Sequence, residues 1–491
     1  MVVEDTWIEI QGGLTVDEGG LLSLSDVYVE ECWFIDVAGT FWASLSVFDE
    51  TDVNLGPTAE AEIRTSTFYY TELVIDGCPA VIADNLFVGY SDEYGVVVKN
   101  GATPSIVSNI IALYAVGIYA NGMDMGGIYD NLIVANSMAG LLAENCTGAI
   151  HDNIFLLNKV EVLLRNSDVS VEDNEIGYTN MFQVIANYAP ILGHFVNLTG
   201  EGGIEATIED PQAAMDSILA SSWSDIGSWV KAHNGIWSEG STVRTSGNVY
   251  GLVNYALYAV DSEIHFADDV RTIVLNVPHA NEGEMYNYSL NIYTLNGLYA
   301  ARSQVWVDGS TIEVLDDALV LESSEAWVEG ATLLAGDFDY FVFGGSNVYN
   351  IATNYSKAKV MDSHSLNEGT WLTISFLDEG DPAVNISVLI KNAKGEIVYN
   401  GTTDADGKVK ILLTQYSYTS EGKDDGFNPY TITADFESGE KSTDVVLDQS
   451  YQDLTIEGEE ESDIGAILAV VGVLVIILLI VAAVVVMRRR K

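Results

Sequence analysis

The chain is predicted to be an all-β protein: a parallel β-helix solenoid, then a small β-sandwich, then a single transmembrane helix. Three observations carry this reading. One is an asparagine-marked repeat of about 22 residues, the second a late run of alternating strands, and the third an uncharged stretch of 24 residues, Ile464 to Met487.

The repeat occupies residues 81–189. Asn85, Asn109, Asn131, Asn153 and Asn174 sit in the similar settings IADNLF, IVSNII, IYDNLI, IHDNIF and VEDNEI, at steps of 24, 22, 22 and 21. A second row, Asn100, Asn121, Asn145, Asn166 and Asn187, follows at steps of 21, 24, 21 and 21. Each unit holds short Ile/Val/Leu/Phe runs broken by Asn, Gly, Asp or Ser, without helical spacing. One such unit cannot bury its apolar face alone, whereas stacked units make a continuous core. A parallel β-helix with one coil per repeat, coils ~4.8 Å apart, satisfies that demand. Asparagine tolerates left-handed turns, and in register its amide bonds to neighbouring coils. Both rows are therefore expected to form internal ladders.

The pattern I-x-x-N-x-I followed by G-[IVL]-x-x-x-N resembles the right-handed β-helix repeats of the pectate-lyase-like superfamily. Closest in style are prokaryotic surface and periplasmic β-helix proteins, including the copper-delivery type. The resemblance implies the fold and leaves function open, because lyases, hydrolases, adhesins and scaffolds share it.

Charge narrows the partners. With 72 Asp+Glu against 20 Lys+Arg the formal net charge is −52, four of the basic residues being the final Arg488–Lys491. Such a surface disfavours nucleic acid and anionic headgroups. Hydrophobic content of 48% excludes a disordered acidic chain. Cys32, Cys78 and Cys146 are too few for a disulfide framework. Cys78 and Cys146 share one repeat phase three coils apart, ~14 Å, so buried free thiols are expected.

In chain order, residues 5–200 form the first β-helical block. Residues 201–246 read as an irregular or helical insertion, with Asp210 as N-cap and Pro211 at the first helical position. Strands resume near Gly247. Ser303, Ser324 and Ser346 mark a second block over 247–360 at steps of 21 and 22, with Ser262 lying 41 residues earlier. Residues 365–448 resemble carboxypeptidase-regulatory-like and immunoglobulin-like β-sandwiches, and Asp404–Gly407 reads as a hairpin turn. An acidic linker spans 449–463, a transmembrane helix 464–487 and a basic cytoplasmic tail 488–491. That topology places the rest outside. No signal peptide is visible after Met1, so a start upstream of it is expected. The bare anchor and acidic ectodomain suggest an archaeal cell surface. The Asn-x-Ser/Thr sites Asn197, Asn287, Asn354, Asn385 and Asn400 are expected to be glycosylated; Asn145, in the expected ladder, is not.

Candidate chemistry is sparse. Asp130, Asp152 and Asp173, each preceding a first-row asparagine, stack at ~4.8 Å as a Ca²⁺ row or as solvated turn residues. The six histidines show no metal-ligand spacing. Arg165, Lys99 and Lys159 are isolated, so no catalytic residue is assigned. Trp223, Trp229, Trp237, Trp306 and Trp327 are sugar-stacking candidates, and Trp306 and Trp327 share a phase. The expected function is a membrane-anchored extracellular scaffold for surface-layer, adhesion or carbohydrate binding. Its partners would be surface polysaccharides or other surface proteins, with no cofactor beyond Ca²⁺. The alternatives are a polysaccharide lyase or glycoside hydrolase, and a cation-binding assembly module.

Overall fold

The computed structural model describes residues 1–90, 92–177, 233–271, 273–281, 284–361 and 364–458, with 273–281 and 284–292 described by backbone alone. Contacts divide the chain into two units. The first is Met1–Leu366 with Tyr418–Gly422, and the second Asn367–Ser417 with the remainder.

The first unit is a β-solenoid of about 14 turns. One coil shows the plan. Ala139–Glu144 lies on sheet A, Thr147–His151 on sheet B and Ile154–Leu156 on sheet C. Each strand pairs in parallel with its counterpart one coil on: Leu141 with Val162, Ile150 with Val171, Phe155 with Ile176. Inward residues stack on like residues, so Phe48, Phe68 and Phe87 overlap at centroid separations of 4.7 and 4.5 Å. Stacked rings cover one another's faces and leave no void along the core.

The first asparagine row is an internal ladder at the B–C corner. The Nδ2 groups of Asn85, Asn109 and Asn131 each donate to the next Oδ1 at 3.0 Å, and Asn153 donates to Asn174 at 3.4 Å. The same oxygens accept the preceding coil's backbone N–H at 2.9–3.1 Å. Buried corners cannot leave amides unpaired, which is why an amide side chain recurs there.

The second row corrects its expectation. Asn100, Asn145 and Asn166 are exposed, with φ of 58, 55 and 48°. They serve the left-handed turn and not the interior, so Asn145 is accessible after all; Asn187 lies outside the described residues. The internal ladder at this A–B corner is made of serine. The backbone N–H of Cys146 donates to Ser167 Oγ at 3.1 Å, and the series continues through Ser241, Ser262, Ser303, Ser324 and Ser346. The serines at 303–346 thus belong to the same column as Cys146. Cys32, Cys78 and Cys146 are all free and buried.

The two expected blocks are one solenoid. Asn234–Glu239 pairs directly with Val160–Arg165, through Val162 with Ile236 and Leu163 with Trp237. Strands therefore resume at Asn234 and not near Gly247, and Thr242–Ser246 follows on sheet B. The helix expected around Asp210 lies outside the described residues. The 41-residue step from Ser262 to Ser303 contains an antiparallel hairpin, Ile273–Asn281 with Glu284–Ile292, inserted between coils.

In the second unit, Ile397–Thr402, Ser387–Lys391, Tyr430–Phe436 and Gly439–Val445 form a four-stranded antiparallel sheet in that order. Trp371–Leu377 pairs in parallel with Tyr451–Glu457. Leu372, Phe376, Ile390, Leu413, Ile432 and Ile456 meet in one core cluster. Asp404 Oδ1 accepts the N–H groups of Asp406 and Lys408 at 2.9 and 2.8 Å, which commits this carboxylate to closing a turn. The expected acidic linker is corrected in part. Tyr451–Glu457 is a strand, because Leu454 and Ile456 alternate with polar residues and Ile456 is buried. The spans 464–487 and 488–491 lie outside the described residues, among which no helix is long and apolar enough to cross a membrane.

Candidate functional site

Sheet B carries a chemically mixed outer surface. Parallel register aligns Arg244, His265, Trp306, Trp327 and Tyr349 in one outward row. The rings of His265 and Trp306 stack at 4.6 Å, Trp306 and Trp327 at 4.9 Å, and Trp327 and Tyr349 at 6.0 Å, with interplanar angles of 8, 8 and 15°. The coil rise sets the ring spacing, which suits aromatic stacking.

This geometry changes what Trp306 and Trp327 offer. Each indole has both faces covered by a neighbour, so a sugar cannot lie flat on either ring. Their edges remain, including two indole N–H donors. Trp237 lies on sheet A, 4.5 Å from the Tyr258 ring, with its Nε1 donating to Glu239 at 3.1 Å. Trp223 and Trp229 lie outside the described residues.

Beside the stack, small residues open a groove. Ser246 and Ala267 are register partners, and the space above them, walled by Trp306 and Trp327, measures about 430 Å³. Arg244, His265, Asp308 and Glu329 also line it. A second hollow of about 450 Å³ shares Ala267 and continues over the B–C corner toward Asp269 and Arg271. Arg244 meets Asp168 at 2.6 Å, His265 Nε2 meets Glu263 at 2.9 Å and Arg271 meets Asp269 at 2.7 Å. These exposed pairs contribute little stability, so the groups can turn toward a ligand at small cost.

Beneath the second hollow the first asparagine ladder ends on an acid. Asn248 donates to Asp268 through its backbone at 2.9 Å and its amide at 3.0 Å, and the Tyr250 hydroxyl donates at 2.6 Å. Burial pushes the Asp268 carboxyl up, against these donors. The fixed network holds the corner on which Ala267 and Asp269 are mounted. Sequence reading missed Arg244, Ala267 and Asp308; Arg244 shares the phase of Trp306, whereas Ala267 and Asp308 lie two residues on from it in their coils.

Asp130, Asp152 and Asp173 are brought into one exposed column, with φ of 55, 55 and 53°. Asp152 contacts His151 Nδ1 at 2.8 Å. Asp is among the residue types enriched at such positive φ, though Thr65 and Leu157 adopt it here as well. Asn354, Asn385 and Asn400 are exposed. Asn287 is in the hairpin, and Asn197 lies outside the described residues.

The fold and this groove define a parallel β-helix with a polar and aromatic cleft on one sheet. Residues 26–183, about a third of the chain, match the family model described as "Periplasmic copper-binding protein (NosD)". No curated protein matches the chain. Among solved structures, a mutant of the periplasmic alginate epimerase AlgG is similar at 10% identity and a TM-score of 0.29, over 71% of this chain and 78% of that one. The alginate lyase AlyF-OU02 is similar at 11% identity and a TM-score of 0.28, over 75% and 83%.

The side chains bear on the copper named in that family description. Among the described residues no group of three His, Cys, Asp or Glu converges. His151 stacks on Tyr129, His265 on Trp306, and His364 accepts the Gly345 N–H at 2.8 Å. The three thiols are buried, and burial pushes each one up. Among the described residues this donor set does not fit a copper centre.

Proposed function

We propose that the protein is an exported, surface-displayed β-helical scaffold that holds a glycan in the sheet-B groove. The groove itself carries the reading. Small Ser246 and Ala267 leave a cleft lined by one guanidinium, one imidazole, two carboxylates and two indoles. Such a mixture suits hydroxyl-rich ligands that both donate and accept hydrogen bonds. The charge of −52 favours a neutral or amino-substituted glycan over a polyanion. The partial match to a family described as periplasmic supports export. In this reading the second unit is a β-sandwich stalk, and residues 464–487 anchor it in the membrane.

A glycan array probed with the protein, with bound sugars analysed for cleavage products, tests the proposal. Retention of intact neutral or amino sugars is expected. Shortened or unsaturated products would favour the alternative of a lyase or hydrolase, and binding to no glycan would overturn both.

A further inference from the structure

Among the described residues the interior of the solenoid is lined by apolar side chains, amides and hydroxyls, and one buried group stands apart. Glu161 points inward from sheet A and is 1% exposed. Register places it between Gly140 in the preceding coil and Gly235 in the following one. Space explains the glycines: a Cβ on Gly140 would lie 2.8 Å from Asn158 Nδ2 and 2.7 Å from the Glu161 carbonyl. A long acidic side chain here needs a reason.

Its partners supply one. At the C–A corner a third ladder runs from the Tyr114 N–H to Asn136 Oδ1 at 3.0 Å. Asn136 Nδ2 then donates to Asn158 Oδ1 at 2.7 Å. Asn158 in turn donates its amide to Glu161 Oε2 at 2.5 Å and its backbone N–H at 3.3 Å. Glu161 thus closes the ladder with a carboxyl in place of another asparagine. Among the described residues its Oε1 has no partner. Asp339, in the same column further on, is different: its two oxygens accept three backbone N–H groups and one hydroxyl at 2.6–3.1 Å. Asp339 has the donors a charged carboxylate requires; among the described residues Glu161 has only the two N–H groups of Asn158, both on Oε2.

We propose that Glu161 is a proton-operated clasp. Protonated, it closes the Asn136–Asn158 ladder and holds the strand Val160–Arg165 against Asn234–Glu239. Ionised, it places an uncompensated charge in the interior and loosens that joint. Among the described residues the neighbouring charges do not relieve it. Arg165 lies on the outer surface, bridging Glu144 at 3.4 Å and Glu239 at 3.1 Å. Lys159 is exposed at the corner, and His233 is half-buried at the start of the next coil. Burial accordingly pushes the Glu161 carboxyl up to about 8, against the hydrogen bonds from Asn158.

The sign follows from proton linkage. The closed joint keeps the proton up to about pH 8, whereas an opened, hydrated Glu161 releases it near its ordinary 4.5. Between those values the closed form binds more protons. Opening therefore rises with pH, by up to about tenfold per unit, and levels off above the upper value.

Hydrogen exchange on the full chain tests this. Once corrected for intrinsic rates, opening of the amides in 162–165 and 236–239 should rise steeply from pH 5 to 8 in the wild type. In Glu161→Gln, which mimics the protonated form, it should be flat. Glu161→Gly, the residue on either side in the column, should also be flat and guards against misfolding of the first variant. An equal rise in all three proteins would overturn the proposal, as would a flat wild-type profile.

Discussion

Asn174 donates its side-chain amide to Asn248 at 3.0 Å across 74 residues of sequence, the same distance found between ladder neighbours 22 residues apart. The coils on either side of residues 178–232 are therefore in register with each other. Ladders, and not local sequence continuity, hold the coils in phase.

The two asparagine rows should respond oppositely to mutation. Asn131→Ala removes acceptors from the Asn109 backbone and amide and a donor from the Ile106 carbonyl. Leaving these buried groups unpaired should cost about 2–4 kcal/mol. Asn145→Gly keeps the positive φ on an exposed turn and should cost less than about 1 kcal/mol. Urea unfolding midpoints check both values. Equal losses would mean that the second row is not a surface feature.

The aromatic stack should contribute to stability. Trp306→Ala removes ring contacts to His265 and Trp327, and about 1–3 kcal/mol of stability should go with them. Near-ultraviolet circular dichroism should lose its tryptophan coupling signal while the strand signal stays. An unchanged thermal midpoint would show that the stack is incidental.

The thiols give a direct measure of burial. With all three cysteines buried, a maleimide reagent should label none in the native protein and three after denaturation. Alkaline pH should not speed native labelling until it approaches the raised values that burial imposes. Rapid native labelling at pH 7 would show that the core opens readily.

The aspartate column separates a turn role from a cation role. The triple variant Asp130→Asn, Asp152→Asn and Asp173→Asn keeps residues tolerant of positive φ and removes three charges. If these are turn residues, its melting temperature matches the wild type with and without Ca²⁺. A Ca²⁺-dependent rise confined to the wild type would establish a cation row.

Much of this was legible in the sequence because a β-helix writes its period into its corners. Asn85–Asn174 and Ser303–Ser346 were visible as columns, and the pairing of Trp306 with Trp327 followed from phase. Exposed Asn145 and buried Asn153 were indistinguishable by type, since asparagine suits both a left-handed turn and an amide ladder. Asn248 was hidden by its 74-residue offset. The acidic composition of 449–463 masked the alternation that makes Tyr451–Glu457 a strand. The groove was the least legible feature. It depends on what is missing, the small side chains of Ser246 and Ala267, set by register against a large residue in another coil.

Filling that groove tests the central claim most directly. Ala267→Trp places a large side chain between Arg244 and Asp308 at an exposed position, leaving the ladders intact. Calorimetric titration with the strongest array glycan should show affinity at least tenfold weaker than wild type, with an unchanged melting temperature. Equal affinity in the two proteins would place glycan recognition elsewhere and contradict the account.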